Sequence, residues 1–384
     1  MSNLAARPAG FTVVRVTVVL LLLAAAYGVV RYQRGELIDL AVPRTAAARF
    51  LAHEPLYRLA DGHYQYKYFP LFALIMTPFA LVPRVVAEMM WFALMVAMIW
   101  AFVRLSLEAL PERRLRAKLL VWITLLVTGK FIVRELALGQ FNLLVALFLI
   151  GAVIAAQNHR AFAAGTAVAA GAFVKPYAFV MVPWLVGTLG WRAFVSFCLV
   201  LVAGLALPTA FYGWEGNLTL LRDWYRTVTE TTGPNLLAPE NISFASMWAK
   251  WLEPGAEASG LALASAVVAV AAGGAIMLWR RSVAEPNYLE GAYFFLLIPL
   301  LSPQGWDYVL LIALPAYMCL VDRWRDMSRS WRVVVVIGIS LTSFTIFDLL
   351  GRSLYVRFVQ LAAVSVGAVL IAACLVRLRW RAVA

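Results

Sequence analysis

A polar stretch at residues 35–83 holds the residue types that could carry out acid–base chemistry. Asp39 lies a few residues after the first apolar run, between apolar neighbours, and a cluster of aromatic and basic residues follows at 64–70. Partial loss of water raises the pKa of a carboxyl group and suits it to accept a proton. Asp39 is therefore a candidate catalytic base. The plain structural alternatives are a solvated loop acid or a helix N-cap.

A second group of polar residues interrupts the apolar sequence at 134–142. Arg134 could bind a phosphate through its planar guanidinium group, or it could pair with Glu135 or another carboxylate inside the protein. Gln140 and Asn142 could bind sugar hydroxyls, or they could form hydrogen bonds between helices. Because ionisable residues at membrane depth are costly, this group is a functional candidate.

Three further polar residues lie at breaks between later apolar runs. Lys175 precedes Pro176, which suits the first turn of a helix. Lys175 could neutralise a phosphate, or its side chain could snorkel to the membrane interface. Asp307 follows a turn at 302–306 and could be a second acid, a ligand for a hydroxyl group or a helix cap. Asn241 could face the same site from its own polar segment.

Several kinds of site are excluded by the motifs that the sequence lacks. It contains no P-loop, no Rossmann glycine pattern, no HExxH and no nucleophile elbow. The three histidines, His53, His63 and His159, are scattered, and no group of acids has the spacing of a metal site. We therefore expect chemistry that needs no cofactor and that uses either no metal or few metal ligands.

These candidate residues must be positioned by membrane-spanning helices. The chain has 384 residues, of which 63% are hydrophobic and 14% are charged, and its mean hydropathy is +0.83. Soluble domains are roughly a quarter charged, and a spanning helix needs about 20 apolar residues. The sequence predicts an all-α, polytopic transmembrane bundle of about 12 spans. The predicted spans are 11–30, 85–104, 118–133, 140–156, 161–174, 176–189, 193–212, 260–279, 287–301, 306–321, 333–349 and 355–376, with 70–83 ambiguous.

The chain has a net charge of +13, and the positions of its basic residues predict its orientation in the membrane. The basic residues form short clusters between apolar runs, as cytoplasmic loops do. They do not form a basic face with interleaved aromatics, so we expect no nucleic-acid partner. This orientation puts loops 31–69 and 213–259, with the turns at 134–142 and 302–307, on the extracytoplasmic side. The polar segments are too short to form cores of their own, so residues 1–384 are predicted to form one integral-membrane domain.

In order along the chain, these motifs resemble glycosyltransferase family 87, the polyprenol-phosphate-mannose-dependent mannosyltransferases with a multi-span GT-C fold. The matching residues cover nearly the whole sequence. They are Asp39, Ala46, Ala47, Pro55, Leu56, Tyr57, residues 66–74, Pro78, residues 81–83, Arg134, residues 139–142, Gly165, Gly171, Lys175, Pro176, residues 241–243, Ser302, Pro303 and Trp306.

The resemblance implies a hexosyltransferase that moves mannose from a polyprenyl-phosphate donor to a lipid or glycan acceptor on the extracytoplasmic face of the cell membrane. Asp39 would be the catalytic base, without a metal, and direct displacement would invert the anomeric carbon. The donor phosphate would be held by Arg134, Lys175 and Lys67. The sugar or the acceptor would be held by Tyr68, Gln140, Asn142, Asn241, Gln304, Trp306 and Asp307.

Two positions depart from the family pattern. Phe69 stands where the family usually has a proline, and Asp307 with Tyr308 stands where it often carries a histidine. Either Asp307 replaces that histidine or Asp39 works alone. The alternatives to an enzyme are a transporter or flippase of a lipid-linked or polar substrate, which predicts broken helices at the midplane, and a structural membrane protein in which Asp39→Asn is silent.

Overall fold

The computed structural model describes residues 22, 26–31, 35–279 and 287–381. Its regular structure is helical, apart from an isolated antiparallel bridge between Asn241 and Trp306. The α-helices are α1 (Ile38–Leu51), α2 (Pro70–Ile75), α3 (Thr77–Ala80), α4 (Arg84–Ala109), α5 (Ala117–Leu138), α6 (Asn142–Gln157), α7 (Ala161–Val174), α8 (Val182–Leu189), α9 (Trp191–Ala206), α10 (Thr209–Glu230), α11 (Phe244–Leu252), α12 (Ala256–Trp279), α13 (Asn287–Leu301), α14 (Leu314–Asp322), α15 (Arg329–Ser343), α16 (Phe347–Gln360) and α17 (Ala363–Arg381). Short 3-10 helices cover Leu59–Tyr64, Pro176–Met181, Gly233–Asn235, Asp307–Ala313 and Trp324–Asp326.

Among the described residues, three helices are long and apolar enough to cross a membrane by themselves: α4, α12 and α17. Two further pairs meet the same test together, but each pair is sharply bent. The bend is 93° between α9 and the segment that begins with α10, and 99° between α15 and α16. Several shorter apolar helices accompany them, so this is a helical membrane protein. The count of about 12 spans stays a prediction, and the first predicted span, 11–30, lies largely outside the described residues.

The two segments that the sequence analysis treats as loops contain helices. Helix α1 lies within 31–69, while most of α10, all of α11 and the start of α12 lie within 213–259. These helices were missed because their segments lack a continuous apolar run long enough to span a membrane. The predicted span 355–376 was also wrong, since the helix breaks between α16 and α17, where Ala362 has a φ of 49°.

Helices in this bundle approach each other closely where small residues face a neighbouring backbone. A Cβ atom on Gly165 of α7 would lie 2.2 Å from the carbonyl oxygen of Ala193 in α9. Without a hydrophobic driving force between helices in lipid, such close van der Waals packing is a main source of association. The α7–α9 contact therefore requires glycine at 165.

Helix α13 and the 3-10 helix Asp307–Ala313 form the centre of the bundle. Nearly every residue from Tyr288 to Leu300 is buried, whichever side of α13 it lies on. A helix that is hydrophobic all round is one that other helices surround. The polar turn between these two elements is therefore held from both ends.

Helix α1 is fixed to the bundle by packing and by one arginine. Leu40 and Ala47 are buried in the main core. Arg44 donates hydrogen bonds to the carbonyl oxygens of Phe79 (3.0 Å) and Val82 (2.9 Å). This ties α1 to α3 and the turn after it, and it fixes the position of Asp39 in the first turn of α1.

Candidate active site

A cavity of about 430 Å³ lies where the polar segments converge. Its walls come from the first turn of α1, residues 63–68, the turn after α5, the Lys175 junction, the end of α10 and residues 301–308. The lining residues are Asp39, Val42, His63, Tyr64, Gln65, Lys67, Tyr68, Gln140, Lys175, Pro176, Tyr177, Val180, Val228, Thr232, Leu301, Ser302, Pro303, Gln304, Trp306 and Tyr308. Seven predicted site residues therefore meet here: Asp39, Lys67, Tyr68, Gln140, Lys175, Gln304 and Trp306.

Gly139, whose backbone is in the left-handed helical conformation, brings Asp39 and Gln140 together. Gly139 ends α5 with φ 74° and ψ 37°, a conformation that side chains other than glycine rarely adopt. A Cβ atom here would also lie 2.8 Å from the Cβ of Leu37, the residue before α1. The carbonyl oxygen of Gly139 accepts a hydrogen bond from Trp91 Nε1 at 3.0 Å. The start of α1 therefore packs directly on the turn that carries Gln140.

The amide group of Gln140 connects the acid to an ammonium group. Its Nε2 atom donates to Asp39 Oδ2 (2.5 Å) and to the hydroxyl of Tyr308 (3.1 Å). Its Oε1 atom accepts from Lys175 Nζ (2.8 Å), which also donates to Asn142 Oδ1 (2.9 Å). The Lys175 side chain thus turns into the site instead of snorkelling to the interface.

A buried carboxylate lies behind this network. Glu135 is fully buried and accepts hydrogen bonds from Asn142 Nδ2 (2.7 Å) and from the backbone N–H of Leu143 (3.0 Å). The hydroxyl of Tyr177 donates to Asn142 Oδ1. Asn142 does not line the cavity. Glu135 bonds to Asn142 and not to Arg134, so of the two pairings proposed for Arg134 from the sequence, the structure shows the one with another carboxylate, Asp307.

Burial shifts the pKa values of Asp39 and Lys175, which lie at the two ends of the network. Loss of water raises the pKa of Asp39, while Lys175 and Gln140 lower it by smaller amounts. Burial also lowers the pKa of Lys175 to about 8, against the opposing attraction of Glu135 and Asp39. The direction at Asp39 agrees with the expectation from its apolar neighbours.

Lys67 provides a second cation on the opposite wall. Its hydrogen bond to Gln304 Oε1 is long, at 3.4 Å. Burial lowers the pKa of Lys67, and the charge of Asp39 raises it. Trp224 Nε1 donates to the carbonyl oxygen of Lys67 (3.1 Å), and Gln304 Nε2 donates to the hydroxyl of Thr232 (3.3 Å). The backbone of Lys67 is therefore fixed while its ammonium group is only loosely held.

Aromatic rings form the rest of the cavity wall. Tyr68 stacks on Phe72 with ring centres 4.9 Å apart and meets Phe141 edge-on at 5.7 Å. Trp306 and Tyr308 lie parallel, with ring centres 6.5 Å apart. Rings of this kind combine apolar faces with polar edges, which suits an amphipathic ligand such as a sugar.

Arg134 and Asp307 do not line this cavity but form a separate ion-pair cluster. Asp307 pairs with Lys130 Nζ (2.7 Å) and with Arg134 (3.3 Å). Arg134 also lies 3.7 Å from Glu240 Oε1, and its guanidinium group sits 5.5 Å from the ring centre of Tyr308. The cap of the 3-10 helix is Trp306, so Asp307 is an ion-pair partner instead of the predicted cap.

Asn241 lies outside the large cavity as well, and its side chain bonds to backbone. Its Nδ2 atom donates to the carbonyl oxygens of Asn235 (3.0 Å) and Pro303 (3.1 Å), and its Oδ1 atom accepts from the N–H of Ser243 (3.1 Å). Asn241 is completely buried. It fixes the 302–307 turn to the start of α11.

Sequence reasoning missed His63, Tyr177 and Tyr308, which line the cavity, and Glu135, which supports it. Glu135 and Tyr308 stand next to the selected residues Arg134 and Asp307, Tyr177 stands two residues after Lys175, and His63 lies four residues before Lys67. Within the described ranges, no three His, Cys, Asp or Glu side chains are grouped to hold a metal ion.

Comparison with known protein families gives a match over most of the chain. The family model described as glycosyltransferase family 87 matches residues 66–303, more than half of the chain. No curated protein and no solved structure matches the sequence. The matched range includes every cavity wall except the start of α1, residues 63–65 and the end of the turn at 304–308.

Proposed function

The chain belongs to glycosyltransferase family 87, and from this premise we propose that it transfers mannose from a polyprenyl-phosphate donor to a lipid or glycan acceptor. The fold would be of the GT-C type, and the reaction would take place at the extracytoplasmic face of the cell membrane. The observation that carries the proposal is the meeting of Asp39, Lys67 and Lys175 around one cavity of about 430 Å³.

In this reaction Asp39 acts as the base. Its carboxylate takes the proton from the acceptor hydroxyl as the hydroxyl oxygen attacks the anomeric carbon of the donor. The bond from that carbon to the phosphate oxygen breaks, and the lipid phosphate leaves with the electron pair. Attack from the opposite side inverts the anomeric carbon. The hydrogen bond from Gln140 keeps Asp39 pointed into the cavity.

The two lysines have different parts in this proposal. Lys67 neutralises the leaving phosphate, because its ammonium group makes only one long hydrogen bond. Lys175 is engaged by Gln140 and Asn142 and supplies positive charge from behind Asp39. Such charge stabilises the ionised carboxylate and also favours a bound anion.

The aromatic wall and the second cluster complete the assignment. Tyr68, Gln304 and Trp306 contact the sugar or the acceptor. Arg134, Asp307 and Asn241 support the cavity wall from outside, and this replaces the direct contacts expected from the sequence. Neutralisation by lysine makes a metal unnecessary, so activity should survive chelation with EDTA.

The test is sugar transfer by the purified protein from radiolabelled polyprenyl-phosphate-mannose to a lipid and glycan extract. The wild type should move the label and Asp39→Asn should not, although both bind the donor. Asp348→Asn, a change at an exposed acid on α16, is the matched control and should keep activity. Transfer by Asp39→Asn would refute the base assignment. Donor binding without transfer of mannose or any other lipid-linked sugar would favour the transporter or flippase.

A further inference from the structure

Helix α10 leaves the preceding helix at nearly a right angle. The segment that begins with α10 is bent 93° from α9, and the two pass as a candidate span only if they are joined. Gly213 has φ 70° and ψ 174°, so the continuous helical part starts at Trp214. If α9 runs along the membrane normal, residues 214–230 run parallel to the membrane surface.

These residues form a helix with three distinct faces. One face is buried against the protein and includes Asn217, Leu220 and Thr227. A second face contains an apolar stripe with spacings of four, three and four residues, which places its members on one line of a helix. The stripe consists of Trp214, Leu218, Leu221 and Tyr225.

The apolar stripe is open to the surroundings of the protein. Trp214 is 63% exposed and Tyr225 is 66% exposed, while Leu218 and Leu221 are half-buried. Large aromatic side chains with this exposure are typical of the boundary between lipid and water. The apolar stripe therefore requires an apolar neighbour outside the protein chain.

The third face carries polar residues and lies beside the apolar stripe, opposite the buried face. Thr219, Arg222 and Arg226 are exposed there, together with the acids Glu215 and Glu230. At 100° per residue, this face is turned by roughly a right angle from the apolar stripe. A helix lying in a membrane interface needs this arrangement, with acyl chains on one side and headgroups and water on the next.

We propose that residues 214–230 form an interfacial helix that rests on the extracytoplasmic membrane surface. Trp214, Leu218, Leu221 and Tyr225 enter the boundary between headgroups and acyl chains. Arg222 lies at the level of the lipid phosphates, whose charge is opposite to its own, while Arg226 pairs with Glu230 at 2.7 Å on the same face. The partner of this surface is the phospholipid bilayer.

The proposal has a consequence for the cavity, because the protein-facing side of the same helix forms part of the cavity rim. Trp224 stacks on Phe69 with ring centres 4.1 Å apart and bonds to the backbone of Lys67. Val228 and Thr232 line the cavity itself. Contact with the bilayer thus holds the rim that carries Lys67 at headgroup level.

The test uses the full-length protein in nanodiscs of phosphatidylethanolamine and phosphatidylglycerol. Nitroxide labels are placed singly by Leu218→Cys, Leu221→Cys or Tyr225→Cys on the apolar stripe. Thr219→Cys and Arg226→Cys on the polar face of the same helix are the matched controls. Cys198, which is half-buried, is first replaced by alanine. Power saturation then compares collisions with oxygen, which partitions into lipid, and with a water-soluble nickel chelate.

We expect the apolar-stripe labels to collide severalfold more with oxygen than with nickel, and the control labels to show the reverse ratio. Equal access of nickel to both sets would mean that the stripe faces water, which overturns the proposal. Low access of both reagents to the stripe would mean that another protein surface covers it, which also overturns the proposal. The measurement needs no catalytic activity, so its outcome is independent of the proposed function.

Discussion

Replacing Gln140 with leucine should move the pH dependence of sugar transfer. The Gln140 amide donates to Asp39 Oδ2 at 2.5 Å and thereby favours the ionised carboxylate. A hydrogen bond to a charged group is worth about 1.5–3 kcal/mol. With about 1.4 kcal/mol for each factor of ten, its loss corresponds to a roughly 10- to 150-fold lower kcat/KM at pH values below the pKa of Asp39.

The direction of the pH shift follows from the protonation state in which Asp39 works as a base. A base must be ionised to accept a proton, so the rate falls as the pH drops through the pKa of Asp39. That pKa is already raised by burial. Removing the stabilising N–H group raises it further, so in Gln140→Leu the fall at low pH should begin at a higher pH. Activity should recover as the pH rises, until Lys175 loses its proton.

The assay is kcat/KM for mannose transfer across a pH series, with Gln304→Leu as the matched control. Gln304 lines the same cavity but bonds to Lys67 instead of Asp39. Gln304→Leu should therefore raise the KM for the donor and leave the low-pH fall where the wild type has it. A loss in Gln140→Leu that is equal at every pH would refute the electrostatic reasoning, as would a shift of the same size in Gln304→Leu.

Three other substitutions test neighbouring parts of the structure. The pKa of Lys175 is about 8, so kcat/KM of the wild type should fall above about pH 8 as Lys175 loses its proton. Arginine keeps its charge at that pH, so this fall should disappear in Lys175→Arg. An unchanged alkaline fall would contradict the role of Lys175. Arg134→Ala should lower the free energy of unfolding by about 1 kcal/mol in a thermal melt, because Arg134 pairs with Asp307 at a partly exposed site. A large rise in the KM for the donor would instead support the sequence-based prediction that Arg134 binds the donor phosphate. Gly139→Ala should destabilise the protein by about 1–3 kcal/mol in thermal unfolding and reduce sugar transfer. The reason is that Gly139 has a φ of 74° and that Leu37 lies against it. Wild-type stability of the variant would show that the turn can relax.

The sequence predicted which segments form the cavity walls better than it predicted which of their side chains face the cavity. Asp39, Gln140 and Lys175 are far apart in the chain, yet each stands at a break between apolar runs, and such breaks tend to gather at a membrane face. Asn142 and Asn241 stand at similar breaks, but both side chains turn away from the cavity and bond to neighbouring residues. That orientation depends on tertiary packing, which no local pattern contains.

Helices at the membrane surface were the other feature that the sequence analysis did not identify. Residues 214–230 were assigned to a loop because their average hydropathy is low. The spacing of Trp214, Leu218, Leu221 and Tyr225 nevertheless has the helical period. An interfacial helix divides its surface among protein, lipid and water, so its composition is mixed and only its periodicity marks it.

One short segment explains why two charged clusters lie so close together without sharing a ligand site. In residues 306–308, Trp306 and Tyr308 line the large cavity, whereas Asp307 points to Lys130 and Arg134. The guanidinium group of Arg134 lies over the ring of Tyr308, whose hydroxyl accepts a hydrogen bond from Gln140. Arg134 therefore contacts the proposed catalytic network through Tyr308. We propose that it is a positioning residue, so the effect of losing it should pass through the orientation of Gln140 before it reaches Asp39.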